Sequence, residues 1–170
     1  RSMSDHGRAL FELFQKKDIR HIAHVPDAGH AELIRLAAGD KSFVSTPLTT
    51  EEEGVAYLAG AWLGGQRGVL LMQSSGVGNC INMLGLTESC RFPLLMLVTM
   101  RGEWAEQNPW QHPMSRAVQP CLEAMNVMVH RADDTHELLD LTDAAIDMAY
   151  AGDHAIAILL SQKLIGRKKW

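Results

Sequence analysis

The stretch Gly68-Val69-Leu70-Leu71-Met72-Gln73 is a run of apolar residues with a glycine at one end and a polar residue at the other. A strand that reads as continuous apolar residues, without alternation, is typical of a parallel sheet covered by helices on both faces. The stretch Pro93-Leu94-Leu95-Met96-Leu97-Val98-Thr99 repeats the pattern further along the chain. Together the two stretches predict the centre of a parallel sheet.

On both sides of these strands, apolar residues alternate between helical spacing and short strand-like runs. Helices are predicted over residues 5–17, 30–38, 51–63, 80–89, 115–125 and 135–150, and further strands over residues 21–25, 42–46, 127–130 and 155–160. Residues 74–79 are predicted as a tight turn and residues 101–113 as a long polar loop. Such alternation indicates an α/β fold. We predict a doubly wound, mainly parallel six-stranded sheet with helices on both faces, in a single domain of residues 1–170.

The charge balance and the cysteine count argue against several classes of protein. Sixteen basic and twenty acidic residues give a net charge of −4, so we expect neither nucleic acid nor a membrane surface as a partner. No apolar run is long enough for a membrane span, and the start of the chain does not resemble a signal peptide. Three cysteines, an odd number, fit free thiols in a reducing compartment. We expect a cytoplasmic protein with cloning-derived residues 1–2 and a basic end at residues 167–170 that is solvated or touches a partner.

Three consecutive glutamates stand at the start of the predicted helix 51–63. Thr50 and Glu53 have the spacing of a capping box, which gives Glu53 a structural explanation. The apolar stripe of the helix begins at Val55, and Glu52 lies three residues before it. We therefore expect Glu52 to point inward, to have a pKa raised by desolvation, and to transfer protons. The alternative is that the acidic run only complements the helix dipole.

Polar residues collect at the predicted carboxyl ends of the strands, where open parallel sheets bind their ligands. In chain order they are Asp27 and His30, then Glu52, then Gln73, Ser74, Ser75 and Gly76, and finally Arg101, Gln111 and His112 in the long loop. Long loops in compact domains are often binding loops. We therefore expect the functional site at this edge, although Asp27 and His112 taken singly also fit a turn cap and a surface histidine.

Several familiar motifs are absent or incomplete. The dinucleotide fingerprint needs a glycine where Ile81 stands, and there is no G-x-x-x-x-G-K-[ST] phosphate loop. Ser74 and Ser75 lack the G-x-S-x-G frame of a hydrolase nucleophile. The histidines are scattered, so we predict no metal site built by this chain alone.

Four stretches in combination resemble a known family. They are Thr50-Glu51-Glu52-Glu53-Gly54-Val55-Ala56, Met72-Gln73-Ser74-Ser75-Gly76-Val77-Gly78-Asn79-Cys80-Ile81-Asn82, Arg101-Gly102-Glu103 and Gln111-His112-Pro113-Met114. In this order they resemble the pyrimidine-binding domain of thiamine-diphosphate-dependent decarboxylases. The most similar branch resembles sulfopyruvate decarboxylase alpha subunits and the N-terminal half of phosphonopyruvate decarboxylases, over about residues 25–125.

The resemblance implies roles for the residues at the sheet edge. Glu52 corresponds to the glutamate that hydrogen-bonds N1′ of the coenzyme's aminopyrimidine, and Gln73, Ser74, Ser75 and Gly76 correspond to the turn against that ring. Asp27 and His112 correspond to further catalytic residues near the reacting carbon. The residues implied to bind substrate are Asp27, His30, Arg101, Gln111 and His112, with Arg101 and His112 meeting an anionic head group.

The resemblance also implies a partner chain. In such enzymes a second domain carries the Gly-Asp-Gly motif that binds the diphosphate and Mg²⁺, and this sequence contains no Gly-Asp-Gly. We therefore expect one half of a split enzyme, with a beta subunit that carries the diphosphate- and Mg²⁺-binding domain, in a heterotetramer or a larger assembly. The implied substrate is a small 2-oxo acid such as sulfopyruvate, phosphonopyruvate or a similar anionic 3-substituted pyruvate.

Two alternative functions fit the same residues. A synthase with the same coenzyme would ligate the carbanion to an acceptor instead of releasing an aldehyde. A regulatory or scaffold subunit would keep the fold without the chemistry, although a retained Glu52 argues against this alternative. Product analysis with the partner present separates the first alternative from a decarboxylase.

Overall fold

Six strands form one sheet in the computed structural model, which describes residues 5–166. The strands are β1 (Ile19–His24), β2 (Val44–Pro47), β3 (Arg67–Gln73), β4 (Leu94–Thr99), β5 (Met128–Ala132) and β6 (Ala155–Leu160). Their spatial order is β2-β1-β3-β4-β6-β5, and every neighbouring pair is parallel. The predicted fold class is confirmed. The basic end at residues 167–170 lies outside the described residues.

Helices cover both faces of this sheet. They are α1 (Asp5–Lys16), α2 (Ala31–Ala38), α3 (Glu51–Leu63), α4 (Ser74–Cys80), α5 (Gly85–Cys90), α6 (Gln111–Ala124), α7 (Thr135–Gly152) and α8 (Gln162–Ile165). Val69 and Leu71 of β3 belong to the core with α1, α2 and α7, whereas Leu70 and Met72 belong to the core with α3, α4 and α6. Because successive strand residues point to opposite faces, β3 needs an apolar residue at every buried position. Between residues 5 and 166, no helix combines the length and apolar character that a membrane crossing requires.

The segment after β3 differs from the prediction. Residues 74–79, predicted as a tight turn, belong to α4, and the predicted helix 80–89 is replaced by a turn and the short α5. Serine and glycine favour turns locally, but Val77 and Cys80 are fully buried against the sheet. Tertiary packing of these two side chains therefore overrides the local preference.

The long loop is also shorter than predicted, because α6 begins at Gln111 and not at residue 115. Gln111 and His112 therefore stand in the first turn of a helix. A helix holds its side chains more rigidly than a loop does, so both residues have defined positions at the sheet edge.

The strand order reverses between β1 and β3. The connection from β1 to β2 runs through α2 on one face, and the connection from β2 to β3 runs through α3 on the other. Connections that leave in opposite directions open a crevice at the carboxyl ends of the two strands, where ligands of this fold bind. Asp27 and Gln73 flank this crevice.

Candidate active site

A hydrogen-bond network joins the ends of β1, β3 and β4. The carboxylate of Asp27, after β1, accepts hydrogen bonds from Gly29 N at 2.9 Å and from Thr99 Oγ1 at 2.7 Å. Its other oxygen accepts one from Gln73 Nε2 at 3.2 Å. Thr99 is the last residue of β4 and is fully buried, and Gln73 is the last residue of β3. Three neighbouring strands therefore hold one half-buried carboxylate in place.

Gln73 extends this network to α4 and α6. Its Oε1 accepts hydrogen bonds from Ser75 Oγ at 2.9 Å and from Gln111 Nε2 at 3.0 Å. Gln111 Oε1 is shielded from solvent and has no hydrogen-bond partner among residues 5–166. A buried amide oxygen without a partner is uncommon, and it marks a position where a bound molecule can donate a hydrogen bond.

His112 is anchored through one ring nitrogen. Its Nδ1 lies 2.8 Å from the carbonyl oxygen of Gly102. A carbonyl only accepts, so Nδ1 carries the hydrogen and Nε2 is the acceptor of the neutral ring. The half-buried His112 makes no hydrogen bond through Nε2 within the described part of the chain. This geometry suits a group that exchanges a proton with a ligand, and the catalytic role of His112 stays a prediction.

The guanidinium of Arg101 is not free to bind substrate. Arg101 is buried and pairs with Glu106 through two contacts, Nε to Oε2 at 2.9 Å and Nη2 to Oε1 at 3.0 Å. Its backbone N–H donates to Ser74 Oγ at 3.1 Å, which gives that predicted coenzyme-binding serine a structural contact. The prediction that Arg101 meets an anionic head group is contradicted, because a buried cation needs a partner and the loop supplies its own.

His30 is also not a surface residue of the crevice. Its side chain is 1% exposed, and its Nε2 lies 3.1 Å from the carbonyl oxygen of Leu97 in β4. The ring therefore anchors the segment after β1 to the sheet. The prediction that His30 binds substrate is contradicted, because α2 begins directly after it and carries the ring into the interior.

Acidification should destabilise the fold through His30. Burial lowers the pKa of His30 to about 4, and the charge of nearby Asp27 opposes this shift only in part. The unfolded chain, with an ordinary histidine pKa near 6.5, therefore binds more protons between about pH 6.5 and pH 4. The stability that neutral His30 contributes is complete above this range and is lost as the pH falls through it, by roughly 3 kcal/mol in total.

Urea unfolding at a series of pH values measures this effect. The slope of unfolding free energy against pH between about pH 6.5 and pH 4 should be shallower in His30→Gln than in the wild type. His136→Gln is the control, because the side chain of His136 is 88% exposed. An unchanged slope in His30→Gln would mean that other groups cause the pH dependence.

One expectation for Glu52 is wrong, and its catalytic role stays a prediction. Its pKa is lowered and not raised, with the Thr50 hydroxyl beside it as the largest cause and its own backbone N–H as the next. The residue is half-buried, and its Oε2 is shielded from solvent and has no hydrogen-bond partner among residues 5–166. The capping box does not form, since the Thr50 side chain makes no cap hydrogen bond and Glu53 Oε2 accepts from Thr49 N at 2.7 Å. The Thr50 hydroxyl lies toward Glu52 and not toward the helix amides.

Glu51 is the buried glutamate of this helix. It is 8% exposed, and its Oε2 accepts a hydrogen bond from Asn79 Nδ2 at 2.7 Å. Its Oε1 lies against Gly76, where an added Cβ would come within 2.5 Å of the Glu51 carboxyl carbon. Burial, with the charges of Glu51 and Glu52, raises the pKa of the neighbouring Cys80 thiol to about 12. The glycine and the glutamate thus make a close, polar contact at the start of α3 and α4.

Sequence reasoning missed Glu51, although the helical pattern contains it. At 100° per residue, Glu51 falls about 30° from the centre of the stripe formed by Val55, Leu58, Ala59 and Trp62, whereas Glu52 falls about 70° away. Counting back four residues from Val55 instead of three therefore finds the buried acid. Thr99 and Glu106 were also missed, and no sequence pattern marks them.

The family described as "Thiamine pyrophosphate enzyme, N-terminal TPP binding domain" matches residues 5–124, and the chain belongs to this family. The sulfopyruvate decarboxylase subunit alpha of Methanocaldococcus jannaschii is 32% identical over 152 residues, which cover 89% of this chain and 90% of that protein. The phosphonopyruvate decarboxylase of Streptomyces viridochromogenes is 33% identical over 126 residues, which cover 73% of this chain and 32% of that protein.

A solved structure supports the fold. The chain superposes on a 2-oxoglutarate:ferredoxin oxidoreductase from Magnetococcus marinus with a TM-score of 0.72 and 15% sequence identity, over 97% of this chain and 33% of that one. The predicted resemblance to the pyrimidine-binding domain is confirmed, and with it the prediction of a thiamine-diphosphate-dependent enzyme.

The residues at the crevice fit the aminopyrimidine ring of thiamine diphosphate. Glu52 Oε2 and Gln111 Oε1, the latter beside Gln73, are shielded acceptors without a hydrogen-bond partner among residues 5–166. A heterocycle with an amino group and a protonated ring nitrogen can donate hydrogen bonds to such oxygens. Among residues 5–166, no cluster of three or more His, Cys, Asp or Glu side chains is placed to hold a metal ion.

Proposed function

We propose that this chain is the alpha subunit of a split thiamine-diphosphate-dependent 2-oxo acid decarboxylase in the cytoplasm, with residues 1–170 as one pyrimidine-binding domain. The proposed substrate is sulfopyruvate, phosphonopyruvate or a similar anionic 3-substituted pyruvate. The observation that carries the proposal is the pair of shielded acceptors without hydrogen-bond partners among residues 5–166, Glu52 Oε2 and Gln111 Oε1, at the edge of the sheet that holds the Asp27 and Gln73 network. The family and the names of the two decarboxylase relatives support it.

When bound, thiamine diphosphate supplies a thiazolium carbon that attacks the keto group and an electron sink for the carboxylate that leaves as carbon dioxide. Glu52 would meet N1′ of the aminopyrimidine through Oε2, which is shielded from solvent and has no hydrogen-bond partner among residues 5–166. We assign a structural role to Glu51, since its Oε2 is occupied by Asn79 Nδ2 and its Oε1 lies against Gly76. A shielded carboxylate oxygen without a partner is a suitable proton-transfer group.

The other residues orient the substrate and move protons. Asp27, held by Thr99 and Gln73, keeps its charge at a defined position near the reacting carbon. His112 Nε2, which has no hydrogen-bond partner within the described residues, exchanges a proton with the substrate and contacts its anionic substituent. Gln111 Oε1 accepts a hydrogen bond from the coenzyme or the substrate. Ser75 fixes the Gln73 amide from the side of α4.

A partner chain completes the proposed site. We propose that it carries the Gly-Asp-Gly motif, binds the diphosphate through Mg²⁺, and forms a heterotetramer with this chain. The alignment with the Methanocaldococcus jannaschii protein, which spans 90% of a chain named subunit alpha, supports this division.

Titration with thiamine diphosphate, with and without the candidate partner, tests the proposal. We expect saturable binding with the partner, and then release of carbon dioxide and an aldehyde from sulfopyruvate or phosphonopyruvate but not from unsubstituted pyruvate. A carbon–carbon ligation product would favour the synthase alternative. Coenzyme binding without turnover of any 2-oxo acid in the screen would favour a scaffold.

A further inference from the structure

Glu106, in the loop between β4 and α6, touches none of the groups assigned to the reaction, yet its side chain is only 2% exposed. Five N–H donors converge on its carboxylate: Arg101 Nε (2.9 Å) and Nη2 (3.0 Å), Gly102 N (3.2 Å), Asn108 N (3.0 Å) and Gln162 Nε2 (3.0 Å). A carboxylate offers about four acceptor positions, so this one has none left for a ligand. Its role must therefore be exerted through its neighbours.

The surroundings keep Glu106 ionised. Burial alone would raise its pKa, but the backbone N–H groups of Asn108 and Gly102 and the charge of Arg101 together lower the pKa below its usual range. Gln162, which is 1% exposed, reinforces the arrangement because its Oε1 accepts from the backbone N–H of Glu103 and of Trp104 at 2.9 Å each. The loop is thus tied to the end of β6 as well as to itself.

Gly102 connects the Glu106 carboxylate to His112. Its N–H donates to Glu106, and its carbonyl oxygen accepts from His112 Nδ1 at 2.8 Å. Gly102 has a φ of +74°, and a Cβ there would lie 2.7 Å from the carbonyl oxygen of Gln111. The residue is therefore held between Glu106 on one side and the first turn of α6 on the other. A shift of Glu106 would move the only carbonyl that His112 Nδ1 contacts in the described chain.

We propose that Glu106 is a positioning residue that fixes Gly102 and thereby holds the His112 ring in the Nδ1–H tautomer, with Nε2 as the free acceptor. The proposal rests on the proposed function only for what Nε2 does to substrate. The tautomer itself is a property of this chain and is measurable without coenzyme.

Long-range ¹H–¹⁵N correlation spectra of the ¹⁵N-labelled chain at about pH 8, where an ordinary histidine is neutral, report the tautomer. His112→Gln identifies the His112 signals. We expect the wild type to be protonated at Nδ1. In Glu106→Gln, an amide NH₂ would face several N–H donors and could not accept their hydrogen bonds, so the loop should lose its fixed conformation. Most of the His112 population should then shift to the Nε2–H tautomer that free imidazole side chains prefer.

Glu103→Gln is the matched control, since it removes the same charge from the same loop but weakens the pair with Arg131, while its amide oxygen can still accept from the backbone N–H of Gln162. It should leave the His112 signals unchanged. A wild-type ring protonated at Nε2, or a folded Glu106→Gln chain with the wild-type pattern, would overturn the proposal.

A second variant serves if Glu106→Gln does not fold. Glu106→Asp keeps the negative charge beside Arg101, but its side chain is too short for the 3.2 Å contact to Gly102 N, the longest of the five contacts. A wild-type tautomer in that variant would also overturn the proposal.

Kinetics of the reconstituted complex add a second readout. Glu106→Gln should lower kcat/KM for the 2-oxo acid by about 10²-fold, the lower end of the range for general acid–base groups, with unchanged affinity for thiamine diphosphate. Equal losses in kcat/KM and in coenzyme affinity would indicate a general structural role and contradict positioning of His112. If the wild-type complex has no decarboxylase activity, the proposed function fails while the tautomer measurement still decides the role of Glu106.

Discussion

Replacing Glu52 with glutamine should lower turnover of the reconstituted enzyme by about 10²–10⁴-fold, the range that general acid–base groups contribute. Glutamine has nearly the same shape, and Glu52 Oε2 makes no hydrogen bond within residues 5–166, so the start of α3 should stay folded. An amide cannot exchange a proton as a carboxyl group does, so only the proposed chemistry is lost. Initial rates of carbon dioxide release, with sizing of the complex, measure activity and assembly separately.

Glu51→Gln is the control, because it makes the same change one residue away on the same helix. Glutamine keeps the shape of Glu51 and still offers an oxygen to Asn79 Nδ2. We expect its rate to stay within about threefold of the wild type, as for most substitutions that leave the core and the site intact. A large loss in Glu51→Gln with a small loss in Glu52→Gln would reverse the assignment.

Gly76→Ala should reduce both coenzyme affinity and turnover by at least about 10²-fold. The new Cβ would lie 2.5 Å from Cδ of Glu51 and closer still to its Oε1. Ordinary contact between carbon atoms needs roughly 3.5–4 Å, so the carboxylate has to move by about 1 Å. Glu51 precedes Glu52 at the start of α3, so a displacement of that size disturbs the position of the reacting group and is enough for a loss of this magnitude.

Gly78→Ala is the matched variant, because it adds the same methyl group two residues further along α4. Its Cβ would meet the Sδ of Met114 at 3.1 Å, which a flexible methionine accommodates. Calorimetric titration with thiamine diphosphate in the presence of the partner should therefore show weakened binding for Gly76→Ala and near-normal binding for Gly78→Ala. Equal binding by both variants would mean that Gly76 is not at the coenzyme.

The charge arrangement at the crevice constrains substrate recognition. Arg101 is neutralised by Glu106, so within the described residues His112 is the side chain to which we assign contact with an anionic substituent. Specificity for sulfonate or phosphonate should then depend on His112 and on residues of the partner chain. Recognition of the anionic substituent should therefore depend more on the orientation of the His112 ring, which we propose Glu106 fixes, than on the number of cations near the site.

The strands and most helices were predictable because their signals are local. The continuous apolar runs of β3 and β4 and the helical spacing of α3 correspond to burial that the structure reproduces, and α3 has the predicted ends. The family resemblance was equally accessible, since it rests on short stretches in a fixed order. The start of α4 was not predictable from the sequence, because its serines and glycines favour a turn locally. Only packing against the sheet makes these residues helical.

The amino-acid sequence by itself determined the parallel α/β architecture, the family, and the edge of the sheet where the chemistry lies, because periodic burial and short motifs need no knowledge of distant contacts. Only the tertiary structure decided which glutamate is buried, that Arg101 is already paired, and that His30 is an interior anchor. These outcomes depend on residues far apart in the chain, such as Asn79 beside Glu51 and Leu97 beside His30. A polar side chain adopts the position in which such partners satisfy it, and no local pattern specifies those partners.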